Sequence, residues 1–112
     1  MESTRQKKVS RLIQKELSIV FQKETPLLLG NVMVSITIVR VAPDLANANV
    51  FVSIFPVEEP KEALKIIKLH SRFFRKRLGE SLRNQLRIIP MIEYFLDDSV
   101  SYAEEIDRLL KQ

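Results

Sequence analysis

The sequence predicts a small α+β domain in which helices cover one face of a three-stranded sheet. Apolar residues recur at helical spacing near the N terminus and again beyond the midpoint. Two β-branched runs with turn residues between them indicate a hairpin, and a third short run follows Pro90. The predicted order is α-β-β-α-α-β with a short C-terminal helix.

Length and composition limit the class of protein. The 112 residues, 46% of them hydrophobic, predict one domain spanning 1–112 with one core. The chain has no cysteine and only two glycines, which excludes thiolate nucleophiles, dinucleotide fingerprints and P-loops. The positions of the two glycines also exclude the glycine-x-x-glycine loop of ordinary KH modules. Since no stretch suits a membrane span or a signal peptide, we expect a cytoplasmic protein that does not bind membranes.

The first predicted element is an amphipathic helix. Apolar residues from Val9 to Phe21 recur every three or four positions, and basic residues occupy the positions between them. Ser3 or Thr4 is the expected N-cap. We expect Thr25-Pro26 to end the helix, because the residue before a proline is disfavoured in helical conformation.

A β-hairpin is predicted next. The run Met33–Val41 alternates β-branched and polar residues and predicts a strand. Pro43–Asn47 has the composition of a turn, and Asn49–Phe55 predicts a second strand that ends before Pro56. Because the connection is short, we expect the two strands to pair antiparallel.

The second half is predicted to contain two consecutive helices and a strand. Pro60 suits a first helical position, and the helical pattern then continues to about Leu86. We expect a bend at His70-Ser71-Arg72, because poor helix formers adjoin there. After Pro90, the run Met91–Leu96 predicts the third strand. The expected C-terminal helix is capped by Asp97, Asp98 or Ser99 and displays Ile106, Leu109 and Leu110.

Charge is concentrated in one segment. The net charge of the chain is +4, but residues 61–90 alone contain nine Lys and Arg against two acidic residues. At about 100° per residue, Arg72, Lys76, Arg83 and Arg87 share one helix face, which suits phosphate binding. A solvated basic face is the alternative. The residues predicted to bind RNA are Arg5, Lys7, Lys8, Arg11, Lys15, Lys68, Arg72, Arg75, Lys76, Arg77, Arg83 and Arg87.

No catalytic or metal-binding group emerges from the sequence. His70 is the only histidine and has no cysteine to join it in a zinc site, so a position at the helix bend is favoured. Asp97-Asp98 suits helix capping better than acid–base chemistry. Of Phe73 and Phe74, at least one is expected in the core. We therefore predict a protein that is not an enzyme and needs neither cofactor nor metal.

Several short motifs follow one another along the chain. None is diagnostic alone, but their order and spacing together are specific. They comprise Arg5 with Val9 and Glu16-Leu17, Val41–Leu45, Val50–Ser53, Phe73–Gly79, Leu86–Pro90, Phe95–Ser99 and Ile106–Leu110.

Across essentially its whole length, the sequence resembles the bacterial ribosome-binding factor A family. The resemblance implies a type II KH-like fold that binds the free 30S ribosomal subunit and its 16S rRNA during late maturation. It also implies a role in processing the 5′ end of 16S rRNA and in growth in the cold, without catalysis. We expect a monomer, and an assembly GTPase as a further partner stays open.

The resemblance also locates a departure from the family pattern. The family bends its central helices at an Ala-x-Gly motif, which aligns with His70-Ser71-Arg72 in this chain. Arg72 at the last bend position offers a phosphate contact that glycine cannot provide.

Two other functions are compatible with the residues. A protein-interaction module would use the sheet edge and the acidic C-terminal helix. A DNA-binding helix-turn-helix domain is disfavoured, because the basic residues span two helices instead of the start of one recognition helix.

Overall fold

The computed structural model describes residues 2–97, and their elements follow the predicted order. The predicted C-terminal helix, with Ile106, Leu109, Leu110 and the candidate caps Asp98 and Ser99, lies outside the described residues. The elements are α1 (Thr4–Leu29), β1 (Met33–Val41), β2 (Asn47–Phe55), α2 (Pro60–Leu69), α3 (Ser71–Leu82) and β3 (Met91–Leu96).

Ser3, one of the two expected N-caps, caps helix α1. Its hydroxyl accepts a hydrogen bond from the Gln6 N–H at 3.1 Å, and the Gln6 amide oxygen accepts from the Ser3 N–H at 2.7 Å. The buried Gln6 side chain also donates to the Val41 carbonyl at 2.8 Å. The same residue therefore closes the helix start and anchors it to the end of β1.

The expected end of α1 at Thr25-Pro26 is wrong. The helix continues for another turn, and the Gly30 N–H donates to the Pro26 carbonyl at 3.1 Å. Pro26 removes one donor, which leaves the carbonyl of the exposed Gln22 without its helical partner at a position that water reaches. Leu28 and Leu29 pack against the core. That burial favours the extra turn.

The sheet has the order β1-β2-β3. Strands β1 and β2 form the predicted antiparallel hairpin, with Met33 opposite Phe55 and a bulge between Ile36 and Ile38. Strand β2 begins two residues earlier than expected. Strand β3 pairs parallel to β2. Parallel pairing requires the chain to cross from one end of the sheet to the other, and α2 and α3 make this crossing.

The predicted division into two central helices is confirmed, and it falls at His70. Its N–H donates to the Ile67 carbonyl, and its own carbonyl accepts from the Phe74 N–H. The expected continuation of the second helix to about Leu86 is wrong, because α3 ends at Leu82. Leu82 is the last fully buried residue of the helix, and residues 83–90 must return the chain to the start of β3.

The core lies between the helices and one face of the sheet. Strand residues alternate between buried and exposed, and the buried set faces α1, α2 and α3. Phe21 meets Phe74 edge to face at 4.9 Å and lies 6.0 Å from Tyr94. Within residues 2–97, no helix is both long and apolar enough to cross a bilayer.

Candidate nucleic-acid interface

A cationic cleft lies between α3 and the segment that leads into β3. Its volume is about 630 Å³. Apolar atoms of Ile89 and Ile92 contribute to its lining, together with Gly79, whose missing side chain leaves room beside Ile89. The cations along it are Arg72, Arg75, Lys76 and Arg87. We call this the first cleft.

Arg75 has a structural role in the first cleft. Its guanidinium donates to the carbonyl of Ile89 at 2.6 Å and to that of Pro90 at 3.2 Å. These two bonds hold residues 83–90, which we call the return segment, against α3. The half-buried Arg75 therefore forms one wall of the cleft, and part of its donor capacity is used within the protein.

Arg77 is also engaged. Its guanidinium lies 3.6 Å from Glu24 of α1 and 3.4 Å from Glu80, and it covers the Phe73 ring at 5.5 Å from the centroid. Two carboxylates balance its charge, and α1 and α3 are joined through it. Among the predicted RNA-binding residues, Arg77 is thus the poorest candidate for a phosphate contact.

Arg72, Lys76 and Arg87 differ from these two. Their side chains are exposed, and no acidic residue within 2–97 forms a salt bridge with them. Three unbalanced positive charges around an apolar floor suit a phosphate chain whose sugars or bases contact that floor. Lys68 and Arg83 are exposed as well, but neither lines the first cleft.

The helical arc expected for the four cations is wrong in its second half. Arg83 is the C-cap of α3, and Arg87 lies beyond the helix in the return segment. The fold nevertheless brings Arg87 to the cleft that Arg72 and Lys76 line, because residues 83–90 turn back along α3. Arg72, Lys76 and Arg87 therefore lie together because the chain turns back after α3, and not because they share one helix face.

A second cleft, of about 230 Å³, adjoins the first. It lies between the start of α1, the β1–β2 turn and the return segment, and Arg5 and Asp44 line it. Arg87 and Ile88 line both clefts, so the two clefts join, and their lining contains cations from Lys76 to Arg5 together with Asp44. The other α1 candidates, Lys7, Lys8, Arg11 and Lys15, are exposed but line neither cleft.

The bend residues have separate surroundings. The His70 ring lies 2.9 Å from the Ile66 carbonyl through Nδ1, and Ser71 lines the first cleft beside Arg72. Phe74 is fully buried, as expected for one of the two phenylalanines, whereas Phe73 is partly exposed under Arg77. In residues 2–97, no group of three or more His, Cys, Asp or Glu is placed to hold a metal ion.

Ile88 is the residue that sequence reasoning missed. It is 72% exposed and separates the two clefts. The available signal was an apolar residue beside Arg87 in a segment that also contains Pro90. Because the predicted helix continues to about Leu86, Ile88 falls just past its expected end, where the sequence alone indicates no role for it.

The fold is that of a small α+β domain of type II KH-like topology. Its surface carries the two adjoining clefts lined by cations, and it lacks the glycine-x-x-glycine loop of KH modules. The family model described as ribosome-binding factor A matches residues 5–110. A Cytophaga hutchinsonii protein named ribosome-binding factor A is 50% identical over 112 residues, which cover the whole of this chain and 84% of that protein. The chain therefore belongs to the ribosome-binding factor A family.

Solved structures have the same fold. The crystal structure of ribosome-binding factor A from Thermus thermophilus has a TM-score of 0.66 at 20% identity and covers 81% of this chain and 94% of its own. A Thermus thermophilus homology model, fitted into the cryo-EM map of a 30S complex with that factor, has a TM-score of 0.64 at 22% identity. It covers 80% of this chain and 91% of its own.

Proposed function

We propose that this chain binds the free small ribosomal subunit by gripping the phosphate backbone of its rRNA, and that it makes and breaks no covalent bond. Family membership supports the choice of target. A Thermus thermophilus relative has been fitted into the map of a 30S complex, which supports the same target. The mode of binding is argued from the surface of this chain.

The observation that carries the proposal is the first cleft. Arg72, Lys76 and Arg87 surround it without acidic partners among residues 2–97, and the arginine forks suit phosphate oxygens. Phosphate contacts position a protein on RNA without reading its sequence. Such a factor acts by binding one state of the subunit more tightly than another.

The finer role proposed here comes from the resemblance to the ribosome-binding factor A family. By stabilising an immature arrangement late in maturation, the protein assists processing of the 5′ end of 16S rRNA and supports growth at low temperature. It acts in the cytoplasm as a monomer and without a cofactor. Release by an assembly GTPase would be compatible with this role.

The test is reversal of four cations, R72E/K76E/R83E/R87E, measured by co-sedimentation with purified small subunits over a range of salt concentrations. We expect binding at moderate salt to be lost. For the unaltered protein, log affinity should fall linearly with log salt, and each lost phosphate contact should reduce the slope by roughly one.

The matched control reverses four other exposed cations, K23E/R40E/K61E/K65E, which lie outside both clefts and change the net charge equally. We expect the control to keep most of its affinity. Equal losses in the two variants would mean that overall charge, and not the cleft, drives binding. Normal binding by the R72E/K76E/R83E/R87E variant would refute the proposal.

A protein-interaction role has one observation in its favour. On the face of the sheet opposite α1, α2 and α3, Met33 and Phe55 lie across from each other and are 69% and 67% exposed. A partner protein captured there would survive nuclease treatment of a pull-down, whereas rRNA-dependent capture would not.

A further inference from the structure

The second cleft has walls that the fold holds in place. Its β1–β2 turn is fixed by hydrogen bonds from the Leu45 N–H to the Ala42 carbonyl and from the Met91 N–H to the Ala46 carbonyl, both at 2.9 Å. Leu45 has a φ of 62°, and its side chain packs against the core. A ligand therefore meets a formed cleft and need not order a loop.

Most of the lining of the second cleft is apolar. Val9, Leu45, Leu86 and Pro90 line it, and the half-buried Leu45 and Leu86 offer surface suited to a flat, uncharged ring. Arg5 and Arg87 line the cleft as well. A nucleobase of a single-stranded nucleic acid matches this lining. The faces of its ring are apolar, and phosphates, which arginines bind, lie on either side of it.

Asp44 gives the cleft a hydrogen-bonding preference. One carboxylate oxygen accepts from the Ala46 N–H at 3.0 Å, and within residues 2–97 the other has no hydrogen-bond donor. An ionised carboxylate can only accept hydrogen bonds, and each of its oxygens can accept two, so both oxygens of Asp44 can take a further donor. Guanine presents two adjacent donors, the ring N–H and the exocyclic amino group, on its Watson–Crick edge. Uracil presents one donor between two acceptors, which a carboxylate repels.

Ile88 stands between this cleft and the first one. Its side chain lines both and is largely exposed, with Arg87 beside it. Apolar side chains in such positions insert between neighbouring bases and unstack them in other nucleic-acid complexes. A strand that crosses Ile88 would place one base in each cleft.

We propose that the second cleft takes an unpaired guanine of single-stranded RNA, with Asp44 on its Watson–Crick edge and Ile88 separating it from the neighbouring nucleotide in the first cleft. The inference rests on the proposed function, since it extends the path of the same RNA. It adds a base preference to an interface that otherwise holds only the backbone.

The test measures fluorescence anisotropy of labelled short oligouridylate and of the same oligonucleotide with one central guanine, at a single salt concentration. We expect the guanine oligonucleotide to bind the unaltered protein about tenfold more tightly, the usual size of one bidentate contact. Inosine at that position lacks the amino group and should lose most of this gain. This comparison needs no protein variant.

Two variants assign the preference to its residues. Asp44→Asn keeps an acceptor for the Ala46 N–H, so the turn should persist, but its amide replaces the second acceptor with a donor. We expect this variant to bind both oligonucleotides equally. Ile88→Ser should weaken guanine oligonucleotide binding several-fold. Leu69→Ser, at a position 81% exposed on α2 and outside both clefts, is the control and should change nothing.

The outcomes separate this inference from the proposed function. Equal affinity of the unaltered protein for the two oligonucleotides, or a guanine preference that survives in Asp44→Asn, overturns the guanine site. If the R72E/K76E/R83E/R87E variant still loses subunit binding in that case, the backbone interface stands. If that variant binds subunits normally, both proposals fall.

Discussion

At the scale of single residues, neighbouring cations on one helix have different roles, one on the surface and one in holding the fold together. Arg72 and Arg75 are three residues apart on α3, yet the first extends into solvent and the second donates to two carbonyls of the return segment. The sequence predicts their charge and their helix. It cannot predict this division, because the carbonyls that engage Arg75 approach only when residues 83–90 fold back.

The division can be tested by stability. Arg75→Ala leaves the carbonyls of Ile89 and Pro90 without their donor, and we expect the free energy of unfolding to fall by about 1–3 kcal/mol. Arg72→Ala should change it by less than about 0.5 kcal/mol while still weakening subunit binding. Urea titration of both variants checks this, and equal destabilisation would contradict the assignment.

Tyr94 is a second residue whose environment only the structure reveals. Its hydroxyl is buried and finds no hydrogen-bond partner within residues 2–97, and burial raises the pKa of that hydroxyl. Replacing Tyr94 by phenylalanine removes a hydroxyl that is buried without a hydrogen bond to offset its lost hydration. We expect Tyr94→Phe to keep or increase the free energy of unfolding, by up to about 1 kcal/mol.

The raised pKa also predicts a pH dependence. The folded protein keeps the Tyr94 proton to higher pH than the unfolded chain, so stability is lost as pH rises beyond about 10, the usual tyrosine value. Tyr94→Phe should lose less stability in that range. Thermal unfolding of both proteins at neutral and alkaline pH measures the difference, and parallel losses would contradict the assignment.

At the scale of elements, the strands were the easiest to predict. The bounds Met33–Val41 follow from alternation on a sheet with one buried face, and Pro90 marks the start of the run Met91–Leu96. Helix ends were harder. Tertiary contacts extend α1 past Pro26 and shorten α3 to Leu82, and neither effect is written in local propensity.

The continuation of α1 through Pro26 has a measurable cost. Pro26→Ala restores an N–H that can donate to the Gln22 carbonyl, and part of this gain is offset by the freer unfolded chain. We expect the free energy of unfolding to rise by about 1–2 kcal/mol. The control Leu27→Ala, at an exposed neighbouring position, should have little effect. A lower melting temperature for Pro26→Ala would show that the proline suits its site.

At the scale of the whole molecule, the two ends of the sheet differ in charge. The second cleft lies at the end where β2 and β3 begin, and the first adjoins it through Arg87 and Ile88. Glu58, Glu59 and Glu62 lie at the other end, around an apolar hollow beside Val57. The field of such a charge distribution turns the clefts toward a polyanion before contact. The net charge of each segment can be counted from the sequence. That the cationic and acidic segments lie at opposite ends of the sheet is seen only in the fold.

The bulge between Ile36 and Ile38 has a consequence for self-association. Strand β1 is an edge of the sheet, and a long flat edge of this kind would invite a second copy to pair along it. The extra residue bends the strand and interrupts its regular ladder, and Arg40 adds charge further along. Both features disfavour the pairing of a second copy along β1.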